Sequence, residues 1–261
     1  MTTFIICGAA ARGAYQASLL NTLDQQGIVA DAVFGVSSGA INAVGYACCG
    51  SKVLVDIWSN LHGMSDIFSF SPSALLSGRG IMNAKPISKV LFSHVSAPRI
   101  PVTIAKAEVA TGKVVYVNSA TSTIQELFDS TVSALSIPVA IDNWQGFCDA
   151  GPFVMAPVQE AVKQGHKDLT FILDRPLRPA PVLPIKGFGA INLANLAIQT
   201  IDHLLYSVLM KDLQWAQENK AAQGLTLTIY HPKDDLYNIT EFKKIPEGIL
   251  AGKSNFVREM L

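Results

Sequence analysis

One short stretch constrains the fold of this chain more than any other. Residues 31–42 read D-A-V-F-G-V-S-S-G-A-I-N, so a short apolar run leads into a Gly-x-Ser-x-Gly sequence and then into a helix-like apolar pattern. A strand that passes directly into a helix makes a tight turn, and Gly35 and Gly39 leave the room that this turn needs. We therefore predict that Ser37 lies at the apex of a strand–turn–helix corner, with its hydroxyl accessible to a carbonyl carbon.

The segments around this corner predict an α/β sheet. Thr3–Cys7 has the β-branched and aromatic residues of a buried strand, and residues 14–26 have the apolar spacing of a helix that ends before Gly27. The order strand, loop, helix, strand, turn, helix is typical of parallel strands with helical crossovers. We predict a three-layer α/β/α fold with a mainly parallel central sheet, as one domain over residues 1–261.

The last third of the chain is predicted to be helix, strand and helix of the same domain. Residues 191–219 form a long amphipathic pattern, residues 225–230 alternate as a strand, and residues 249–261 are interpreted as a short final helix. A proline-rich loop, 175–189, precedes them. The apolar face of the long helix either belongs to the core or forms a homo-oligomer interface; its residues are Leu196, Leu204, Leu205 and Val208.

Residues 62–81 lack a clear period and are interpreted as a mobile loop or lid. Two uses of its apolar side chains remain open: contact with a bilayer or acyl groove, or packing on the core. These side chains are Met64, Ile67, Phe68, Phe70, Leu75 and Leu76.

Composition excludes several classes of function. Hydrophobic residues make up 49% of the chain and charged residues 15%, and the 20 basic and 20 acidic residues balance to a formal net charge of zero. No global basic field attracts nucleic acid, so we predict no nucleic-acid partner. The four cysteines lack zinc-binding spacing, and no metal or other cofactor is predicted. Without a signal-peptide pattern or a long apolar run, the chain is predicted to be soluble and cytoplasmic.

A serine nucleophile requires a base, and two kinds of candidate are present. None of the five histidines lies in a distinctive motif, but His231 ends a predicted strand and is a candidate for a Ser-His-Asp triad. Asp149 follows the apolar Phe147-Cys148 and precedes Ala150-Gly151, a position from which a carboxylate reaches the carboxyl edge of a sheet. Both candidates remain open at this point.

The loop Gly8–Gly13 is the candidate oxyanion hole. It joins a predicted strand to a helix, and backbone N–H groups of such a loop can face an anion. Ala14 stands where a phosphate-binding loop has lysine, and Ala10 interrupts the Gly-x-Gly-x-x-Gly pattern of dinucleotide sites. Because this loop and the Ser37 corner belong to one strand–helix–strand unit, both emerge at the same sheet edge.

Taken together, these residues resemble patatin-like phospholipases, which are lipid acyl hydrolases with a Ser-Asp dyad. Four blocks match in order over roughly residues 1–175: the glycine-rich loop, the serine corner, the block 133–138 that ends in Ile137-Pro138, and Asp149-Ala150-Gly151. Pro157 stands in place of the proline that follows the last block.

The resemblance implies the roles of the site residues. Ser37 is the nucleophile, Asp149 the base, and the backbone of Gly8, Ala9 and Ala10 the oxyanion hole. Arg12 either steadies that loop or meets a lipid phosphate. The implied activity is hydrolysis of fatty-acyl esters of phospholipids or lysophospholipids, with peripheral contact at membranes.

The sequence departs from the family pattern in ways that keep two alternatives open. Ala9, Ala10 and Ala150 replace glycines, and Met155 stands where the family often has asparagine. Alanine retains its N–H but disfavours a positive φ, so a catalytically weakened lipid-binding or scaffold protein is one alternative. An esterase that uses His231 is the other.

Overall fold

The fold is described from a computed structural model. The described residues are 1–8, 10–77, 80–94, 97–138, 140–178 and 190–261, and the side chains of residues 88, 190–195 and 197 are not described. Ala9 of the predicted oxyanion hole and most of the proline-rich loop therefore lie outside the described residues.

Strands and helices alternate along most of the chain. The strands are β1 (Thr2–Ile6), β2 (Ala32–Val36), β3 (Ser69–Phe70), β4 (Met82–Asn83), β5 (Val102–Glu108), β6 (Val114–Asn118), β7 (Phe147–Asp149), β8 (Asp168–Ile172), β9 (Thr226–Pro232) and β10 (Phe256–Met260). The helices are α1 (Gly13–Gln25), α2 (Ser38–Cys49), α3 (Ser51–Ser59), α4 (Met64–Ile67), α5 (Pro72–Leu76), α6 (Lys85–Phe92), α7 (Ile124–Ala134), α8 (Val158–Lys163), α9 (Ala190–Gln223) and α10 (Ile245–Ser254). Two 3₁₀ turns are Ala10–Arg12 and Phe242–Lys244.

One sheet organises these elements. Among the described residues its strand order is β10-β9-β8-β1-β2-β5-β6, and β7 also pairs with β5. The neighbouring strands β9, β8, β1, β2 and β5 are parallel, whereas β6, β7 and β10 are antiparallel to their partners. The predicted mainly parallel sheet is confirmed.

Alternate residues of the central strands enter two separate cores, as expected when both faces of a sheet are covered. Phe4 and Ile6 of β1 pack on one face with α1, α2 and α3, whereas Ile5 packs on the other face with α8 and α9. The helices therefore form a layer on each side, and the three-layer prediction is confirmed.

The C-terminal prediction is wrong in one element. Residues 249–261, interpreted as a helix, contain the end of α10 and then strand β10, which pairs antiparallel with β9. The part after residue 190 is thus helix, strand, helix and strand, and it extends the same sheet that contains β1 and β2.

The segment 62–81 is more ordered than the predicted loop. It contains α4, β3 and α5, and β3 pairs with β4. Ile67 is buried and Phe68 is half-buried, whereas Phe70 and Leu76 are 62% and 89% exposed. Packing on the core is therefore observed for Ile67 and Phe68, whereas contact of the exposed side chains with a bilayer or acyl chain remains a prediction.

The long helix α9 contributes to the core through its C-terminal half. Leu209 and Leu213 are buried beneath the sheet, and Leu205 and Val208 pack partly against the same core. Leu196 and Leu204 are 51% and 61% exposed. The core role is confirmed for that half, and the predicted homo-oligomer interface remains a prediction.

Candidate active site

The corner at Ser37 is tightly packed and strained. Ser37 has φ 56° and ψ −132°, an uncommon conformation for a residue other than glycine, and it joins β2 directly to α2. A Cβ at Gly35 would lie 2.4 Å from the Gly39 carbonyl oxygen, and one at Gly39 would lie 2.3 Å from the Ile6 carbonyl oxygen. Both glycines are therefore required by close backbone approaches, as the sequence pattern predicts.

The register of β5 places Asp149 beside this corner. Strand β2 occupies one edge of β5 and ends with Val36 opposite Ala105. Strand β6 occupies the other edge as far as Ala107, so β7 continues along the edge that β2 has left. Asp149 pairs with Lys106, the next residue of β5, and hence follows Val36 in line along that edge. The sequence predicted that Asp149 ends a strand at the carboxyl edge of a parallel sheet. The strand that carries it, β7, is instead antiparallel to β5.

Ser37 and Asp149 line the same cavity, and the Ser37 side chain lowers the pKa of the Asp149 carboxyl. Ser37 is half-buried, and Asp149 is only 4% exposed. The Gly151 N–H donates to Asp149 Oδ1 at 2.7 Å. Burial raises the pKa of Asp149 to about 6, and the Ser37 side chain and the Gly151 N–H offset the burial only in part. The structure thus brings together the serine and the carboxylate that the sequence singles out.

The loop that follows β1 approaches Ser37 closely. A Cβ at Gly8 would lie 2.7 Å from Ser37 Cβ and 3.4 Å from its Oγ, so only glycine fits there. Ala10 has φ 45°, the positive value that the alanine substitution was expected to disfavour. The N-terminal end of α2 also faces this region, because Ser37 immediately precedes its first residue. The N-terminus of α2 favours an anion next to Ser37.

Arg12 is committed to ion pairs inside the protein. Its guanidinium donates to Asp174 Oδ2 at 3.2 Å and to Asp202 Oδ2 at 3.2 Å, and its Nε donates to the Tyr237 carbonyl oxygen at 2.7 Å. Arg175 contacts the same two aspartates, at 3.0 Å and 2.9 Å. Of the two roles left open by the sequence, these contacts favour the steadying of the loop.

A second buried network fixes the other side of the loop. The Asn42 amide donates to the Gly13 carbonyl oxygen at 3.0 Å and accepts from the Trp58 indole N–H at 2.7 Å. Gln16 donates to the Cys7 carbonyl oxygen at 3.1 Å. Sequence reasoning missed both networks, although Asp174-Arg175, a charged pair directly after a buried strand, is a recognisable signal.

Asp212 on α9 organises the turn that follows Asp149. Its Oδ2 accepts the N–H groups of Met155 and Ala156, each at 2.8 Å. Burial raises the pKa of Asp212 to about 6, and the two backbone donors lower it only in part. Met155, which replaces the family's asparagine, is fully buried beside Gly8 and Gly151.

Two apolar cavities meet at Ser37. The first, here called the Asp149 cavity, encloses an empty volume of about 510 Å³ including its mouth; its lining includes Gly8, Asp149, Met155, Ile201 and Leu205. The second, the Trp58 cavity, is narrower, with about 310 Å³ of empty space when the open solvent at its mouth is included; its lining includes Ile41, Trp58, Ile67, Phe68, Leu135 and Phe242. Ala10, Ser37 and Ile137 line both cavities.

His231 has other partners. Its Nδ1 lies 2.8 Å from the Pro232 carbonyl oxygen, and its Nε2 lies 3.2 Å from Glu259 Oε1. It lines a separate open groove with Lys233 and Glu259, and neither cavity at Ser37 includes it. The structure therefore does not bring His231 together with Ser37 in the way that a triad requires.

The described residues also bear on metals and membranes. In this part of the chain, no three His, Cys, Asp or Glu side chains are grouped in a way that would hold a metal ion. None of the helices described here is long and apolar enough to cross a bilayer.

These features define an α/β protein with a serine at a strained strand–helix corner and a buried carboxylate beside it. The model of the patatin-like phospholipase family matches residues 4–170. The chain belongs to the patatin-like phospholipase family.

Two solved structures are similar to this chain at low sequence identity and low TM-score. The crystal structure of VipD from Legionella pneumophila is 10% identical with a TM-score of 0.45, over 99% of this chain and 68% of that chain. A chain of the complex of full-length SpcU with full-length ExoU, from the type III secretion system of Pseudomonas aeruginosa, is 13% identical with a TM-score of 0.33, over 100% of this chain and 54% of that chain. No curated protein matches the sequence.

Proposed function

We propose that the protein is a serine lipid acyl hydrolase, of the phospholipase A or lysophospholipase type, that cleaves fatty-acyl esters of membrane lipids. The observation that supports this most is that Ser37 and the buried Asp149 line the same apolar cavity, where the Ser37 side chain lowers the pKa of the carboxyl. Membership in the family supports a lipid ester as substrate, and the apolar linings suit acyl chains.

In the proposed reaction Asp149 acts as general base and then as general acid. It accepts the hydroxyl proton while Ser37 Oγ bonds to the ester carbonyl carbon and the carbonyl π electrons move to oxygen. Backbone N–H groups of residues 8–10 stabilise this oxyanion. When the intermediate collapses, the alcohol oxygen leaves with the bonding electron pair and takes the proton from Asp149.

Deacylation repeats these steps with water. Asp149 accepts a proton from water, the water oxygen bonds to the acyl carbon, and collapse returns the proton to Ser37 Oγ as the fatty acid leaves. A base with a pKa of about 6 is largely ionised at neutral pH yet still able to donate its proton, which suits both roles.

The test compares Ser37→Ala and Asp149→Asn with the wild type on phospholipid vesicles and on p-nitrophenyl esters. We expect each substitution to lower kcat/KM by at least about 10³-fold, as in other serine hydrolases, while His231→Ala has little effect. Labelling of Ser37 by a fluorophosphonate probe is the independent measurement.

Three outcomes contradict the proposal. Activity that persists in a folded Ser37→Ala protein excludes Ser37 as nucleophile. Loss of activity in His231→Ala together with full activity in Asp149→Asn supports the triad instead. A folded wild type that neither labels nor hydrolyses lipid supports the non-catalytic lipid-binding alternative.

A further inference from the structure

The two cavities at Ser37 differ in their relation to the base. Asp149, Gly151 and Pro152 line the Asp149 cavity, and none of them lines the Trp58 cavity. An ester attached to Ser37 extends in two directions from the carbonyl carbon, one through the acyl chain and one through the alcohol oxygen. Each direction therefore has an apolar cavity available to it.

Proton transfer decides which part enters which cavity. The alcohol oxygen has to take a proton from Asp149 as it leaves, so the alcohol part must lie on the Asp149 side. The water that removes the acyl group has to lose a proton to the same carboxylate. An acyl chain in the Asp149 cavity would occupy the path of that water, whereas a chain in the Trp58 cavity leaves it open.

We infer that the fatty-acyl chain occupies the Trp58 cavity and that the alcohol part of the substrate occupies the Asp149 cavity. This inference rests on the proposed Ser-Asp chemistry. It makes Ile67, Phe68 and Phe242 determinants of acyl-chain length, and it makes Ile201 and Leu205 determinants of the alcohol part.

The lining of the Asp149 cavity also indicates the class of alcohol. Among the described lining residues Arg175 is the one cationic side chain, and its guanidinium is already paired with Asp174 at 3.0 Å and with Asp202 at 2.9 Å. Because the described lining is apolar and its one cation is already paired, it suits an alcohol part that is itself apolar near the ester. A glyceride that retains a second chain, or a long-chain alcohol, fits this description, with any phosphate held outside the cavity.

Two ester series separate the cavities. The first is p-nitrophenyl acetate, butyrate, octanoate and laurate, in which only the acyl chain varies. The second is ethyl, butyl, octyl and dodecyl acetate, in which only the alcohol varies. The readout is the ratio of kcat/KM for the long and short members of a series, because this ratio is independent of the folded fraction of a variant.

The variants narrow or widen one cavity at a time. Ile67→Phe should lower the octanoate-to-acetate ratio roughly tenfold, and Ile67→Ala should extend activity towards laurate. Leu205→Phe should lower the octyl-to-ethyl ratio in the alcohol series by a similar factor, and Leu205→Ala should extend activity towards the esters of longer alcohols. Leu250→Phe, an exposed substitution on α10, is the matched control and should leave both ratios unchanged.

The outcomes distinguish this inference from the proposed function. If Leu205→Phe shortens the acyl range while Ile67→Phe shortens the alcohol range, the assignment is reversed and the inference is overturned. It is also overturned if both phenylalanine variants act on the same series. Full activity of Ser37→Ala on p-nitrophenyl octanoate instead removes the Ser-Asp chemistry itself, whatever the ratios show.

Discussion

Asp149 is the titrating group on which the proposed chemistry depends, and its burial gives the reaction a defined pH dependence. Its pKa is raised to about 6, and only the ionised carboxylate can accept the Ser37 proton. We therefore expect kcat/KM to be constant above about pH 7 and to fall about tenfold per pH unit below about pH 6. Initial rates on p-nitrophenyl butyrate between pH 4.5 and 8.5, each at about constant ionic strength, measure this profile.

Two further residues provide the controls. Asp212 also has a pKa raised to about 6, and His231 is the base of the alternative Ser-His-Asp triad. In both Asp212→Asn and His231→Ala, the midpoint of the acidic decrease in kcat/KM should remain near pH 6, because the Asp149 pKa sets it. A midpoint near pH 4, which is about the ordinary pKa of a carboxyl group, would contradict the role of the buried Asp149.

The residues of the site differ in how far the sequence could predict them. Ser37, Gly35 and Gly39 are predictable because the corner is built from neighbours in the chain, and local sterics require those residue types. The role of Asp149 was predictable only from the order of the four motif blocks along the chain. The role of Arg12 could not be predicted, because its partners Asp174 and Asp202 become neighbours only in the folded chain.

The ion-pair network joins three elements at the site. Asp174 follows β8, Arg12 precedes α1, and Asp202 lies on α9. Burial alone would raise the pKa of Asp174, but the guanidinium groups of Arg175 and Arg12 outweigh it and hold this pKa below its ordinary value. The stabilisation is therefore present above about pH 4 and is lost as the pH falls further.

Removal of the shared carboxylate should be costly. Asp174→Ala leaves two largely buried guanidinium groups with Asp202 as the one carboxylate partner among the described residues, so we expect a loss of roughly 3–5 kcal/mol in the free energy of unfolding. Urea unfolding measures this loss. Lys163→Gln is the control, because Lys163 is 79% exposed in its pair with Glu160 and should contribute less than about 1 kcal/mol. A loss below about 1 kcal/mol for Asp174→Ala would contradict the stabilising role of the network.

Helices and strands were predictable where the apolar residues of a segment follow a single periodicity. The order β1, α1, β2, α2 follows from short buried runs, helical spacing and glycine ends, and the structure has these elements close to the predicted bounds. The tail is different, because Phe256–Met260 becomes a strand only by pairing with β9. Such pairing is a tertiary contact that the five residues alone do not specify.

Exposed leucines lie on α9, which lines the Asp149 cavity, and on α5, which comes after the Trp58-cavity residues Ile67 and Phe68 in the chain. Leu76 follows the segment of Ile67 and Phe68, and Leu204 adjoins Leu205 on α9. With a lipid ester as the proposed substrate, such exposed positions suit contact with a bilayer. We expect Leu76→Asp and Leu204→Asp each to weaken binding to phosphatidylcholine vesicles roughly tenfold, which corresponds to the burial of one leucine side chain.

The control for this experiment is an equally exposed leucine elsewhere. Leu250 is 65% exposed on α10, which lines neither cavity, so Leu250→Asp should leave vesicle flotation unchanged. Hydrolysis of a water-soluble ester by the same variants shows whether the site is intact. Equal loss of flotation in all three variants would exclude a localised contact surface.

The register of β5 has a consequence for how relatives of this protein can diverge. Ser37 and Asp149 are far apart along the chain, yet their strands end against Ala105 and Lys106, which are consecutive residues of β5. Insertions and deletions between them are therefore tolerable as long as they fall in loops. A slip of a single residue between β5 and β7 would instead turn the carboxylate to the opposite face of the sheet. Relatives must therefore keep the register of β2 and β7 on β5, whereas the number of residues between β2 and β7 can vary.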